Sequence, residues 1–265
     1  MNIIKARQLV HEYIRRDEEG NVESIQTALN HVDIDVKAGQ FIAVLGHNGS
    51  GKSTILKTVT KHLAAISGTV CIGRDELGKM SYQELSKKVA VVLTERIKPE
   101  LMTCRDVVTA GRYPYTGKMG LLTAQDEQKI TEAMEKVRAL ELSEKSFDAI
   151  SDGQKQRIML ARAICQEPEI IVLDEPTSFL DIRHKIELLN ILKDMARTQG
   201  TTVVMSLHEI ELAYKMSDRI ICVKGDYIEH FGTVEEVFQE DLIKELFDLD
   251  EETFRMYFQS IRFYQ

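Results

Sequence analysis

The chain has 265 residues, 43% of them hydrophobic and 29% charged, and a formal net charge of −8. That length suits one α/β domain with a large core or two small domains, while the acidic balance gives no support to a nucleic-acid role, which usually shows a basic face or stripe. Four cysteines (Cys71, Cys104, Cys165, Cys222) lie far apart with no C-x-x-C pair, which argues against a zinc site or disulfide framework and suits a reducing compartment.

Residues Ile3 to Leu9 and Ala28 to Val36 alternate apolar and polar side chains in the manner of strands. The charged segment Arg15 to Asn21 between them reads as an exposed hairpin or loop. Tyr13, just before it, offers a flat ring on which a purine base can stack, or else simply packs. The continuous apolar run Phe41 to Leu45 is a buried strand, and it feeds a glycine-rich turn. There Gly46, Gly51, Lys52 and Ser53 fill the phosphate-loop pattern G-x-x-x-x-G-K-[S/T]. In the stretch Gly46, His47, Asn48, Gly49, Ser50, Gly51, Lys52, Ser53 and Thr54, the backbone N–H groups and the start of the next helix (Ser53 to about Ala64) face a triphosphate. Lys52 then reaches the β- and γ-phosphates and the Ser53 hydroxyl holds Mg²⁺. A surface turn that merely contains three glycines does not explain why strand, loop and helix come in this order.

Thr69 to Ile72 reads as a strand, Ser81 to Lys87 as a short helix and Val89 to Leu93 as a third buried strand. A polar junction, Thr94 to Glu100, follows, where Pro99 interrupts regular structure. From Cys104 to Ile164 the periodicity is helical, as expected of a helical subdomain inserted in the sheet-bearing core. Within it, Ile150 to Arg157 opens a helix with Ser151 or Asp152 as N-cap, whose exposed N–H groups either attract an anion or simply cap the helix. Ile170 to Leu173 is an apolar strand ending in two acids. Asp174 can hold the Mg²⁺ shell, and Glu175 can orient and polarise a water for attack on the γ-phosphate. A helix runs from about Ile182 to Arg197. The buried strand Thr201 to Ser206 delivers His208 at a strand terminus, where α/β sheets place their chemistry and where an imidazole can contact the γ-phosphate. Ile220 to Lys224 and Tyr227 to Phe231 form an edge hairpin turning at Gly225 and Asp226. Short amphipathic helices occupy Val234 to Gln265. No run approaches the roughly 20 apolar residues needed to span a bilayer, so any membrane part must come from another chain.

In this order the motifs resemble those of the ATP-binding cassette (ABC) ATPases, and the likeness covers most of the chain. Gly46 to Thr54 is similar to the Walker A loop of that family, Ser151 to Gln154 to its signature motif, Ile170 to Glu175 to its Walker B strand, Ser178 to Asp181 to its D-loop and His208 to its switch histidine. The resemblance implies an α/β fold over 1–265: a P-loop NTPase core with a mainly parallel sheet, an N-terminal antiparallel β subdomain, a helical subdomain inserted over about 95–165 and a helical tail from about 234. It implies a head-to-tail homodimer burying two ATPs, each held by the Walker A loop of one copy and by Ser151, Gly153 and Gln154 of the other, with Asp181 nearby and Tyr13 stacked on adenine. ATP and Mg²⁺ are then the ligands, Lys52, Glu175 and His208 the catalytic groups, and Ser53, Asp174 and Thr94 the metal ligands.

The sequence departs from the family pattern in two places. Ile150 and Asp152 replace the leucine and the first of two glycines of the signature, so a negative charge lies near the expected phosphate. Thr94 stands where the family carries a glutamine that touches Mg²⁺, and its shorter side chain weakens that role. Gly111 to Tyr115 and Leu180 to Lys185 resemble the ATPases that drive import of iron-siderophore complexes, haem and cobalamin. The charged insertion after Tyr13 and the run from Gly46 to Thr54 resemble energy-coupling-factor ATPases of vitamin or metal-ion uptake. The expectation is a peripheral ATPase on the cytoplasmic face of the plasma membrane, working with transmembrane permease subunits and an extracytoplasmic solute-binding protein. A soluble cassette acting on ribosomes or DNA, and a nucleotide-gated scaffold without turnover, are the rivals from other classes.

Overall fold

The computed structural model describes residues 2–93, 101–117, 119–178 and 180–262. The chain forms two compact units, Met1–Gly78 with Ser206–Gln265, and Lys79–Met205. Thr94, with the rest of the junction to Glu100, lies outside the described residues.

The first unit begins with two long strands, β1 (Asn2–Arg16) and β2 (Val22–Lys37), joined by an exposed turn at the charged segment. The strands outrun the expected limits, and Tyr13 lies inside β1 rather than at its end. β3 (Phe41–Leu45) is buried along its whole length, as its unbroken apolar run requires of a strand covered on both faces. It leads into α1 (Lys52–Val59), β4 (Ser67–Ile72) and β5 (Asp75–Glu76). The antiparallel sheet runs β2-β1-β4-β5. Register shifts in β1 between Leu9, His11 and Glu12 re-aim the side chains that follow, as bulges do.

The helix expected to reach Ala64 ends at Val59. The hydroxyls of Thr58 and Thr60 donate to the carbonyls of Thr54 and Leu56 (both 2.8 Å). Lys61 then takes a left-handed backbone (φ 64°) and the His62 N–H donates back to Lys57 O (2.9 Å), closing the end without a glycine.

The second unit contains α2 (Tyr82–Lys88), β6 (Val89–Val92), α3 (Cys104–Thr109), α4 (Ala124–Lys136), α5 (Asp152–Cys165), β7 (Ile170–Leu173), α6 (Ile182–Gln199) and β8 (Thr202–Ser206), whose last residue begins the return to the first unit. Here β6, β7 and β8 pair in parallel. The first unit resumes with α7 (Ile210–Met216), β9 (Arg219–Lys224), β10 (Tyr227–Thr233), α8 (Val234–Val237), α9 (Glu240–Phe247) and α10 (Glu251–Arg262). There β9 runs parallel to β3 and antiparallel to β10.

Gly111 to Tyr115 is a structural joint of the second unit. A Cβ on Gly111 would lie 2.4 Å from the Arg162 carbonyl, so only glycine lets this turn meet α5. Beside it the buried Arg112 guanidinium donates to Asp126 Oδ1 (2.8 Å), Cys165 O (2.8 Å) and Glu167 Oε2 (2.9 Å), and lies 4.2 Å from the centroid of the Tyr115 ring. The N–H and hydroxyl of Thr123, followed by Arg112, hold the Asp126 carboxyl below its ordinary range. A lowered carboxyl pKa contributes stability in full above about pH 4 and loses it only as the pH falls through the lowered value. Removing the cation strands a buried carboxylate, so Arg112→Met is expected to cost about 3 kcal/mol in urea unfolding. A change under about 1 kcal/mol would contradict this reading of the joint.

Candidate functional site

The phosphate loop is built by close approach. A Cβ on Gly46 would sit 2.2 Å from the Val223 carbonyl of β9, and one on Gly51 2.8 Å from the Ala28 carbonyl of β2. Both contacts are with backbone, which cannot swing aside as a side chain can. The loop is thus pinned at both ends between strands of its own unit. Inside it, Lys52 is 5% exposed, and its ammonium donates to the carbonyls of Gly46 (2.9 Å) and His47 (2.7 Å). Gly51 N-caps α1 in a left-handed conformation with no side-chain cap, so the helix N-terminus has no side-chain acceptor of its own. The Ser50 hydroxyl is buried without a hydrogen-bond partner. A lysine drawn onto carbonyls, an orphaned hydroxyl and an uncapped helix start are together the chemistry a phosphate satisfies. His47 and Ser53 are half-buried, Thr54 is buried, and Asn48 and Gly49 are exposed.

Two further residues singled out from sequence belong to this unit. The Tyr13 hydroxyl lies 3.1 Å from Thr54 Oγ1, which ties the ring to the first turn of α1. Its other neighbour, His11, packs edge-on at 4.8 Å between ring centroids and is held by Ala64 O at 2.9 Å from Nδ1. Tyr13 remains 45% exposed, leaving surface for a base to stack on. His208 is exposed one residue beyond Leu207, whose N–H donates to Val44 O (3.2 Å), two residues before Gly46.

The second unit collects the acids and the signature residues. Asp174 is buried, and its N–H donates to Val92 O (2.8 Å), carrying the β6–β7 pairing one residue past the strand. Glu175 then has φ 48°, a left-handed backbone that costs a residue with a Cβ of the order of 1 kcal/mol or more. The turn is held by Ser178, whose N–H donates to Glu175 O (3.2 Å) and whose hydroxyl donates to Glu175 Oε2 (3.3 Å). Ser151 and Gln154 form a capping box on α5: Ser151 Oγ accepts from Gln154 N (3.3 Å) and Gln154 Oε1 accepts from Ser151 N (3.0 Å). Gly153 is half-buried and Asp152 exposed. Asp181 caps α6 by accepting from His184 N (2.9 Å), with His184 Nδ1 at 2.8 Å from Oδ2, and the His184 backbone bond leads the causes that keep its carboxyl low.

Among the described residues no group of three or more His, Cys, Asp or Glu side chains forms a metal cluster. Mg²⁺ does not require such a cluster, since it binds through one or two protein oxygens with substrate phosphates. The sequence pattern alone did not reveal the contact of His11 with Ala64 O, nor those of His47 with Phe247 (ring centroids 5.7 Å apart) and Asp248 (3.4 Å). Each joins residues distant along the chain, with no motif to mark it.

The family described as ABC transporter matches residues 29–178. An uncharacterized ABC transporter ATP-binding protein of Methanocaldococcus jannaschii is 41% identical over 218 residues, 82% of this chain and 75% of its own length. The iron(3+)-hydroxamate import ATP-binding protein FhuC of Bacillus subtilis is 33% identical over 83% of this chain and 82% of its own. Among solved structures, the dimeric post-hydrolysis state of the ATP-binding cassette MJ0796 bound to ADP and Pi has a TM-score of 0.77 and 26% identity, over 87% of this chain and 98% of that one.

Because the Val223 carbonyl cannot retreat without breaking β9, Gly46→Ala is expected to destabilise the protein by about 3 kcal/mol in thermal or urea unfolding. An alanine variant as stable as the parent would contradict the pinned loop.

Proposed function

The chain belongs to the ABC transporter ATPase family, and from that membership we propose that it powers a multi-chain importer of an iron-chelate class of solute. Likeness to the iron-hydroxamate import protein supports the solute class. Among the described residues no helix is long and apolar enough to cross a membrane. That suits a subunit held peripherally, on the cytoplasmic face, by permease chains that receive solute from an extracytoplasmic binding protein.

The reading is carried by one observation: Lys52, shut in a loop pinned by Val223 and Ala28, spends its ammonium on two carbonyls of that loop. In our account ATP draws the ammonium onto its β- and γ-phosphates, the loop N–H groups and Ser50 complete the cradle, and adenine stacks on Tyr13. Mg²⁺, when bound through Ser53 and Asp174, with Thr94 as a weak third ligand, supplies neutralising charge to the phosphates. Glu175 accepts a hydrogen bond from the attacking water, turning its oxygen toward the γ-phosphorus. The water oxygen bonds to that phosphorus, the bond to the bridging oxygen breaks, and ADP and phosphate remain. His208 donates to a γ-phosphate oxygen. The N-terminus of α5, from Ser151 through Gly153 and Gln154, closes on the γ-phosphate held by a second copy, with Asp181 at that junction. The dimeric cassette with ADP and Pi supports this pairing. Exposed Asp152, opening α5, is the charge that ATP must approach there, and it sets a limit on dimer affinity.

Glu175→Gln keeps shape and removes the acceptor charge. It is expected to bind ATP, accumulate as a dimer in size-exclusion chromatography and release phosphate at least about 100-fold more slowly. Parental turnover by this variant, or no turnover by the wild type with its permease, would contradict the proposal.

A further inference from the structure

The C-terminal part of the first unit reaches the phosphate loop. Ile243 and Leu246 seat α9 with fully buried side chains, and Glu245 pairs with Lys224 at the end of β9 (3.2 Å). Phe247 and Asp248, at the C-terminal corner of α9, meet His47. The rings of Phe247 and His47 stand 5.7 Å apart, edge to face at 63°, and Asp248 Oδ2 lies 3.4 Å from His47 Nε2. That nitrogen is closed to solvent and makes no hydrogen bond. The carboxylate therefore lies beside the ring but off the line of a hydrogen bond. Asp248 itself is held in a left-handed backbone (φ 48°, ψ 45°), a state a non-glycine residue keeps only where its surroundings fix it.

His47 is gripped at both ends. Its side chain meets α9, while its carbonyl accepts from Lys52 Nζ at 2.7 Å. The same assembly touches the loop a second time, because the Val223 carbonyl that pins Gly46 is one residue before the Lys224 that pairs with α9. A loop held this way before ligand arrives loses less freedom on binding, and pre-ordering shows as affinity rather than as chemistry.

We propose that His47 is a positioning residue through which the Phe247–Asp248 corner pre-orders the phosphate loop, so that the C-terminal segment sets nucleotide affinity without touching nucleotide. This rests on the reading of the loop as an ATP site. A solvent-exposed imidazole–carboxylate contact and one edge-to-face contact correspond to a two- to five-fold effect, roughly.

The test titrates ADP with Mg²⁺ into the full chain by calorimetry and measures phosphate release at saturating ATP. Asp248→Gly removes the carboxylate yet suits the left-handed backbone, and Phe247→Leu removes the ring while keeping bulk. Each is expected to raise the ADP Kd about two- to five-fold with kcat unchanged. Combined with His47→Gln, Asp248→Gly is expected to add little further loss, because both changes break one link. Wild-type ADP affinity in both corner variants, or losses that simply multiply with His47→Gln, would overturn this inference alone. A wild-type chain that binds no ADP would overturn the nucleotide reading, and this inference with it.

Discussion

A carbonyl that leaves no room for a Cβ governs the nucleotide half of this protein. With Val223 O against Gly46 and Ala28 O against Gly51, the phosphate loop cannot relax outward, and its lysine donates to two of the loop's own carbonyls. Rigidity is what gives the loop an appetite for anions: hydrogen-bond donors fixed in a concave turn cannot all be quenched by the chain that carries them. Burial of β3 along its full length supplies the stiff base from which the loop projects.

The second unit places acids rather than a lysine beyond the end of its strand. Its strand β7 is followed by a buried aspartate, and the chain then bends through Glu175 in a left-handed conformation that glycine or asparagine would adopt more cheaply. The chain thus tolerates a local backbone cost just past the strand, and such costs cluster at functional sites. The capping box of Ser151 and Gln154 keeps the start of α5 regular, despite the departures at Ile150 and Asp152. The residues that depart from the family pattern therefore change the charge at this helix start and leave its local geometry intact.

Much of this was legible in the sequence wherever a residue type is forced. Gly46, Gly51, Lys52 and Ser53 announce their loop because no other side chains satisfy its packing and charge together. The strands from Phe41, Val89, Ile170 and Thr202 follow from apolar runs too short for helices. Ends and long-range contacts were not legible. The stop at Val59 depends on threonine hydroxyls bonding backwards and on Lys61 taking a backbone usually marked by glycine. Arg112 read as part of a family likeness, and its partners, buried Asp126 and exposed Glu167, lie 14 and 55 residues onward. The amphipathic pattern of α9 announced a helix but not that its last turn would reach His47, some 200 residues upstream in the sequence.

The central claim is that the ammonium of Lys52 exchanges loop carbonyls for phosphate. A crystal structure of the Glu175→Gln protein with ATP and Mg²⁺ tests it most directly. The account predicts Lys52 Nζ moved off the carbonyls of Gly46 and His47 onto the β- and γ-phosphates, with Ser151 to Gln154 of a second copy against the γ-phosphate. Nucleotide bound elsewhere, with Lys52 still on both carbonyls, would contradict it.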